Sequence, residues 1–143
     1  KKVGKRASVA QVRSKQFTSD TFSKKERIAL LTGCTGFLGM YILHDLLKTD
    51  VHVICLMRRK NTKAARKNID KILKTVGLPN IDVDKRITIL LGDLGLPKLG
   101  IHEEDFKTVS QNIDAIYHNG AIVNWLLPYS ALEPVNVGGS ATL

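Results

Sequence analysis

Thr32-Gly33-Cys34-Thr35-Gly36-Phe37-Leu38-Gly39 is the stretch whose reading decides the fold. A short apolar run, Ile28-Ala29-Leu30-Leu31, leads into it. Behind it Phe37, Leu38, Tyr41, Ile42, Leu46 and Leu47 recur at three- and four-residue spacing, with His44, Asp45 and Lys48 off that stripe. The pattern predicts a buried parallel strand, a glycine-rich turn, and an amphipathic helix that buries the stripe. Gly33 permits a tight turn, Gly36 bares the main chain where a pyrophosphate would approach, and Gly39 lets the helix lie close on the strand. The N–H groups of Phe37 and Leu38, at the helix start, lack intrahelical acceptors and would face an anion. A glycine-rich turn without a ligand is the competing reading, and the strand and helix on either side weigh against it.

Outward from the turn the same alternation repeats. Thr49-Asp50 breaks the helix, and residues 51–57, β-branched and apolar, predict a second strand. Residues 61–76 read as a basic helix with Ala65, Ile69, Ile72, Leu73 and Val76 inward, stopped by Gly77 and Pro79. A third strand over residues 87–91 ends at Gly92-Asp93-Leu94, and a loop marked by Pro97 and Gly100 follows. Residues 102–111 suit a helix whose first turn carries Glu103, Glu104 and Asp105. A fourth strand over 113–117 ends at His118-Asn119-Gly120-Ala121, and 129–143 read as one last helix. Strands alternating with helices imply a parallel sheet covered on both faces, and right-handed crossovers give the order 3-2-1-4. The expected class is α/β, the N-terminal portion of a Rossmann-type doubly wound sheet.

The chain has 143 residues, 43% hydrophobic and 24% charged, which suits one modest domain. Its net charge of +9 is not spread evenly. Residues 1–25 hold eight Lys/Arg against Asp20 and show no apolar period, so they read as a flexible basic linker or tail. Docking to another domain or an acidic surface is the alternative use of that segment. The expected nucleotide-binding unit is 26–143. A second patch, residues 58–74, sets eight Lys/Arg against Asp70, and everything else has six bases and eleven acids.

No apolar run approaches the roughly 20 residues of a membrane span, and no apolar segment follows Lys1-Lys2-Val3-Gly4-Lys5-Arg6, so neither signal peptide nor membrane anchor is expected. The chain begins at Lys1 and ends at Thr142-Leu143, as a piece of something longer would. Cys34 and Cys55 lack CxxC spacing and a neighbouring His cluster, which argues against a zinc site or disulfide framework and suits a reducing, cytoplasmic compartment. Cys34 reads as a small filler in the turn rather than an activated thiol.

The second basic patch begins where the second strand ends. A cofactor with a free 2′-hydroxyl favours an acid there, but the sequence is Met57-Arg58-Arg59-Lys60. A 2′-phosphate is a dianion that an arginine fork binds bidentately, so the patch predicts NADPH, held by Arg58 and Arg66. A solvated helix face is the rival reading, strongest for Lys71 and Lys74. Nucleic acid is not expected, because the patch has no aromatic residues on which bases stack. Ligands of open α/β sheets lie beyond the carboxyl ends of the strands. Asp93 is therefore placed at an adenine amino group, and Asn119, Gly120 and Ala121 under the nicotinamide ribose, with a plain turn role competing at each. His118 reads as a packed or solvent-facing histidine.

Taken together, TGCTGFLG (32–39), CLMRR (55–59), GDL (92–94), HNGAIVNW (118–125) and NVGGSATL (136–143) resemble the thioester reductase domains of nonribosomal peptide and polyketide synthetases and carboxylic acid reductases. These belong to the extended short-chain dehydrogenase/reductases. The resemblance runs from about Ile28 to the end. It implies an NADPH-dependent oxidoreductase that takes an acyl or peptidyl chain from a carrier protein's phosphopantetheine thioester and releases an aldehyde or alcohol. It also implies that Thr32, Gly33, Thr35, Gly36, Phe37, Leu38 and Gly39 hold the pyrophosphate, Arg58 and Arg66 the 2′-phosphate, and Asp93 and Leu94 the adenine. Asn119, Gly120 and Ala121 fall on the nicotinamide side, and Asn136 helps hold its own helix.

The superfamily's proton donor, a Tyr-x-x-x-Lys pair, is missing from these 143 residues: four positions after Tyr41, Tyr117 and Tyr129 stand Asp45, Ala121 and Glu133. No catalytic residue is expected within the chain. The pair would lie past Leu143, so the chain alone should bind cofactor without turnover. Two alternatives stay open, a non-catalytic sensor or scaffold and a relative of fatty acyl-CoA reductases.

Overall fold

Four parallel strands in the order β3-β2-β1-β4 make the sheet in a computed structural model that describes residues 26–143. The expected linker, 1–25, lies outside the described residues. β1 (Ile28–Thr32) and β2 (His52–Met57) are buried at every position, as strands covered on both faces must be. β3 (Ile87–Leu91) pairs with β2, and β4 (Ala115–His118) with β1, so the order is the one the crossovers predict. β4 starts two residues later than the sequence suggests and takes in His118. Asp114 pins its start: the Ile28 N–H donates to Asp114 Oδ2 at 2.7 Å, and the Asp114 N–H to the Ile28 carbonyl at 2.8 Å.

Alternation along the strands builds two cores. On one face Ala29, Leu31, Val53 and Cys55 meet Leu43, Leu46 and Leu47 of α1 (Phe37–Leu47) and Ile69 and Leu73 of α2 (Thr62–Thr75). On the other, Ile28, Leu30, Ile54, Leu56 and Leu90 meet Leu99, Ile101 and Val109, the last from α4 (Glu103–Asn112). Each fully buried leucine or isoleucine contributes about 1.5–3 kcal/mol. No helix among the described residues is long and apolar enough to cross a membrane.

The structure corrects the expected α1 stripe. Phe37 and Leu38 are 78% and 59% exposed and Tyr41 is exposed too, while Gly39, Leu43, Leu46 and Leu47 face the sheet. The face is chosen by Gly39. A Cβ there would stand 2.0 Å from the Gly33 carbonyl oxygen, so the bare position is where the helix meets the turn. Phe37 and Tyr41 pack on each other instead, edge to face with centroids 5.4 Å apart.

Three further differences have local causes. A single turn, α3 (Val83–Arg86), precedes β3, capped by the Asp82 side chain, which accepts from the Lys85 N–H. The expected loop at Pro97–Gly100 is a 3-10 turn that puts Lys98 and Leu99 at positive φ and buries Leu99. The single helix expected over 129–143 is two, α5 (Tyr129–Asn136) and α6 (Gly138–Thr142). Pro134 removes a helical donor, and Gly138-Gly139 has little helix propensity.

His52 opens β2 in a buried position, with Nδ1 3.1 Å from the Lys85 carbonyl and Nε2 2.8 Å from Thr88 Oγ1. The carbonyl can only accept, so Nδ1 carries the proton and the neutral Nε2 accepts from the threonine. Burial, chiefly, lowers its pKa, and Arg86 adds to that against the opposing pull of the Lys85 carbonyl and Glu26. The unfolded chain thus takes the proton more readily. Stability from this group is complete above the ordinary value of 6.5 and is lost as pH falls below it. Urea midpoints between about pH 7.5 and 5.5 should fall more steeply for the native sequence than for His52→Gln; equal slopes would refute the assignment. Gly39→Ala should destabilise the fold by about 1–3 kcal/mol through overpacking, despite alanine's better helix propensity. Gly36→Ala, whose Cβ would lie 3.4 Å from the same oxygen, should stay near neutral in the same melts.

Candidate functional site

The site starts from a turn that only glycine can make. Gly33 takes φ +70°, and its carbonyl accepts the Gly36 N–H at 3.0 Å. A side chain at Gly33 would collide with the Asn119 main chain at 2.7 Å. Gly36 then caps α1 without a side-chain hydrogen bond. Met40 is the first helix residue to donate backward, to the Gly36 carbonyl at 3.1 Å. The N–H groups of Phe37, Leu38 and Gly39 are left without an acceptor among the described residues. They stand at the positive end of an 11-residue helix, an arrangement that favours an anion.

Thr32 ties this turn to the end of β4. Its Oγ1 accepts the Asn119 N–H at 3.1 Å and the Gly120 N–H at 2.9 Å, while Asn119 Nδ2 donates to the Gly33 carbonyl at 3.4 Å. On α5, Asn136 clamps the segment that follows, accepting from the Ile122 N–H at 2.8 Å and donating to its carbonyl at 3.0 Å. These two bonds tie α5, the helix that carries Asn136, to that segment. Cys34 and Cys55 are buried together behind the turn. The bond between them, with burial, pushes the Cys55 thiol well up, and the same bond lowers the pKa of Cys34, whose side chain is fully buried.

A cleft of about 180 Å³ runs across the carboxyl ends of all four strands. It is lined by Thr32, Gly33 and Thr35 from the turn, Arg58 after β2, Asp93 and Leu94 after β3, and Gly120 and Ala121 after β4. Eight residues singled out in the sequence thus share one crevice at the switch between β1 and β4. Gly36, Phe37, Leu38, Gly39 and Asn119 do not line it: the first four form the helix start beside it, and Asn119 lies beneath the turn.

Arg66 is placed elsewhere. Its guanidinium meets Asp70 at 3.1 Å and Asp84 at 2.6 Å, and Asp84 above all raises its pKa. Arg59 lines the cleft instead. The signal for it was its place directly after the strand, one residue past Arg58. Arg59 Nη1 donates to the Arg58 carbonyl at 2.9 Å. Arg58 is largely exposed, with Nη1 3.7 Å from Asp93 Oδ2, while Asp93 Oδ1 accepts the Gly95 N–H at 2.9 Å. Leu56, Met57, Gly92, Ile122 and Val135 complete the wall; the first four lie in the quoted motifs without a role of their own, and Val135 lies outside them.

A family model for NAD-binding domains, described as Male sterility protein, matches residues 31–143. A linear gramicidin synthase polypeptide of Brevibacillus parabrevis is 42% identical over 113 residues, covering 78% of this chain and 2% of that protein. The L-2-aminoadipate reductase large subunit of Penicillium chrysogenum is 35% identical over 118 residues, 80% of this chain and 8% of that one. Among solved structures, the terminal R domain from the myxalamid PKS-NRPS biosynthetic pathway superposes with a TM-score of 0.74 at 43% identity, over 82% of this chain and 30% of that domain. The PhqB reductase domain from Penicillium fellutanum gives 0.69 at 34%, over 81% and 32%. The chain spans less than a tenth of these curated relatives and about a third of the solved domains. A glycine turn at a helix start, joined to the end of β4 and matched in sequence and fold to these reductases, places the chain in the NAD-binding family of extended short-chain reductases that includes the terminal reductase domains of peptide and polyketide synthetases.

Proposed function

We propose that the cleft holds NADPH and that the full-length protein is a thioester reductase. On this reading it takes an acyl or peptidyl chain from a carrier protein's phosphopantetheine thioester and releases it as an aldehyde or alcohol. One observation carries the cofactor choice: two arginines, Arg58 and Arg59, stand at the end of β2 beside the phosphate turn, where a 2′-hydroxyl would call for an acid. The residues present fit the group. The free N–H groups of Phe37, Leu38 and Gly39 and the side-chain-free Gly36 accommodate the pyrophosphate, with Thr32, Gly33 and Thr35 shaping the turn. Arg58 and Arg59, in place of Arg66, would take the 2′-phosphate. Asp93 and Leu94 border the adenine, and Asn119, Gly120 and Ala121 support the nicotinamide ribose. When bound, the cofactor supplies a hydride. The chain's own groups position it and exclude water.

The 143 residues have no Tyr-x-x-x-Lys pair to protonate a developing oxyanion, so this segment by itself binds nucleotide and does not turn over. A sensor or scaffold would share that property. The two separate in the full-length protein, which consumes NADPH with an acyl-carrier thioester if it is a reductase and does not if it is a sensor. A preference for acyl-CoA over the carrier-bound thioester would move the assignment to the fatty acyl-CoA reductases.

By isothermal titration, the double variant Arg58→Ala/Arg59→Ala should bind NADPH about 10- to 100-fold more weakly, from charge-assisted bonds of about 1.5–3 kcal/mol, and bind NADH as the native sequence does. Arg66→Ala should leave both unchanged. NADH binding as tight as NADPH in the native protein would sink the cofactor assignment. Gly36→Ala should weaken both nucleotides, since its Cβ intrudes where the pyrophosphate approaches.

A further inference from the structure

The protonation state of His118, at the end of β4 beside the turn, is fixed by its partners from two sides. Thr32 Oγ1 has one proton and two lone pairs. The N–H groups of Asn119 and Gly120 take both lone pairs. The proton is left for His118 Nδ1, 2.7 Å away. Across the ring, Ser140 Oγ on α6 donates to the Asn136 carbonyl at 2.8 Å, so in its 3.0 Å contact with His118 Nε2 the serine accepts. The Thr32 side demands a bare Nδ1, and so a neutral ring protonated at Nε2, and the Ser140 side, which needs a donor at Nε2, agrees with it. His118 is exposed, partial desolvation lowers its pKa, and its partners Thr32 and Ser140 are uncharged, so the neutral form is the one present near pH 7.

We propose that His118 is a positioning residue for the nucleotide site: in this single tautomer it couples α6 to the phosphate turn through a chain running from Thr32 to His118 to Ser140 to the Asn136 carbonyl. The inference rests on the nucleotide reading above. Thr32 is 0% exposed, so no solvent replaces a lost partner for its hydroxyl. With the hydroxyl proton committed to the ring, both lone pairs stay aimed at Gly120, which lines the cleft, and Asn119, which lies beneath the turn. A ring with the opposite tautomer would bring a third donor to Thr32 Oγ1 and leave the threonine's own proton without an acceptor. Asn136 belongs to the same device twice, since its carbonyl ends the chain while its side chain clamps Ile122. Through it the order of α5 and α6 reaches the turn.

The test is nitrogen-15 NMR of the His118 ring near pH 7, paired with NADPH titration, on the full chain and its Ser140→Ala and Ser140→Thr variants. His118→Phe serves as a harsher change that can also unfold the protein. The expected result is a single Nε2–H tautomer in the native sequence. In Ser140→Ala the ring should keep the Nε2–H tautomer that Thr32 imposes, the Nε2 resonance should move as its acceptor is lost, and NADPH should bind about 2- to 10-fold more weakly, the range set by one hydrogen bond of about 0.5–1.5 kcal/mol. Ser140→Thr, which keeps the hydroxyl at an exposed position, should restore both. A native ring with Nδ1–H, an even mixture, or unchanged NADPH affinity in Ser140→Ala would overturn the proposal. If the native chain holds the expected tautomer yet binds no NADPH, the nucleotide reading falls and takes the role of His118 with it. A wrong tautomer with normal NADPH binding overturns this inference alone.

Discussion

A Cβ on residue 39 would sit 2.0 Å from the Gly33 carbonyl oxygen, and the carboxyl end of the sheet is organised around that missing atom. Because the position is bare, α1 leaves the turn against β1 with Leu43, Leu46 and Leu47 on the core side and the first N–H groups unspent. The positive end of the helix then stands beside the crevice between β1 and β4. Thr32 ties the turn to the end of β4 by accepting both N–H groups of Asn119 and Gly120. The turn and the end of β4 thus meet through main-chain groups. Charged side chains join the cleft through Arg58, Arg59 and Asp93.

This division explains what could be read in the sequence. Glycine spacing between an apolar run and a periodic segment specifies a backbone conformation directly, so the turn, the parallel sheet and its order were all legible. The strand-end residues were legible for the same reason: Asp93, Leu94, Gly120 and Ala121 are placed by topology, and they do line the cleft. Arg66 was not. Spacing along a helix does not reveal which acids lie across from it, and Asp84, on the unexpected α3, takes the guanidinium that the charge pattern offered to a phosphate. Arg59, fixed by the strand, was the safer position. Phe37 and Leu38 misled in a related way, because apolar periodicity at the start of α1 gives no account of the side that must stay bare at Gly39.

The two basic patches also part ways. The one after β2 contributes Arg58 and Arg59 to the cleft, then continues along α2 as a partly neutralised surface with Asp70 and Asp84. Net charge alone would have suggested a polyanion. Its distribution instead gathers two arginines beside the cleft, where we propose that they meet a phosphate group. His118, unremarkable in the sequence, gains its place from partners 86 and 22 residues away, which no local pattern displays.

Main-chain N–H groups at the α1 start and the arginine pair after β2 are together proposed to hold NADPH. Amide-resolved NMR titration with NADPH and NADH tests that claim most directly. Both nucleotides should shift the amides of Phe37, Leu38, Gly39 and Gly120, with the difference between them confined to Arg58, Arg59 and their neighbours. Shifts that spare the Phe37–Gly39 amides, or a difference centred on Arg66, would contradict it.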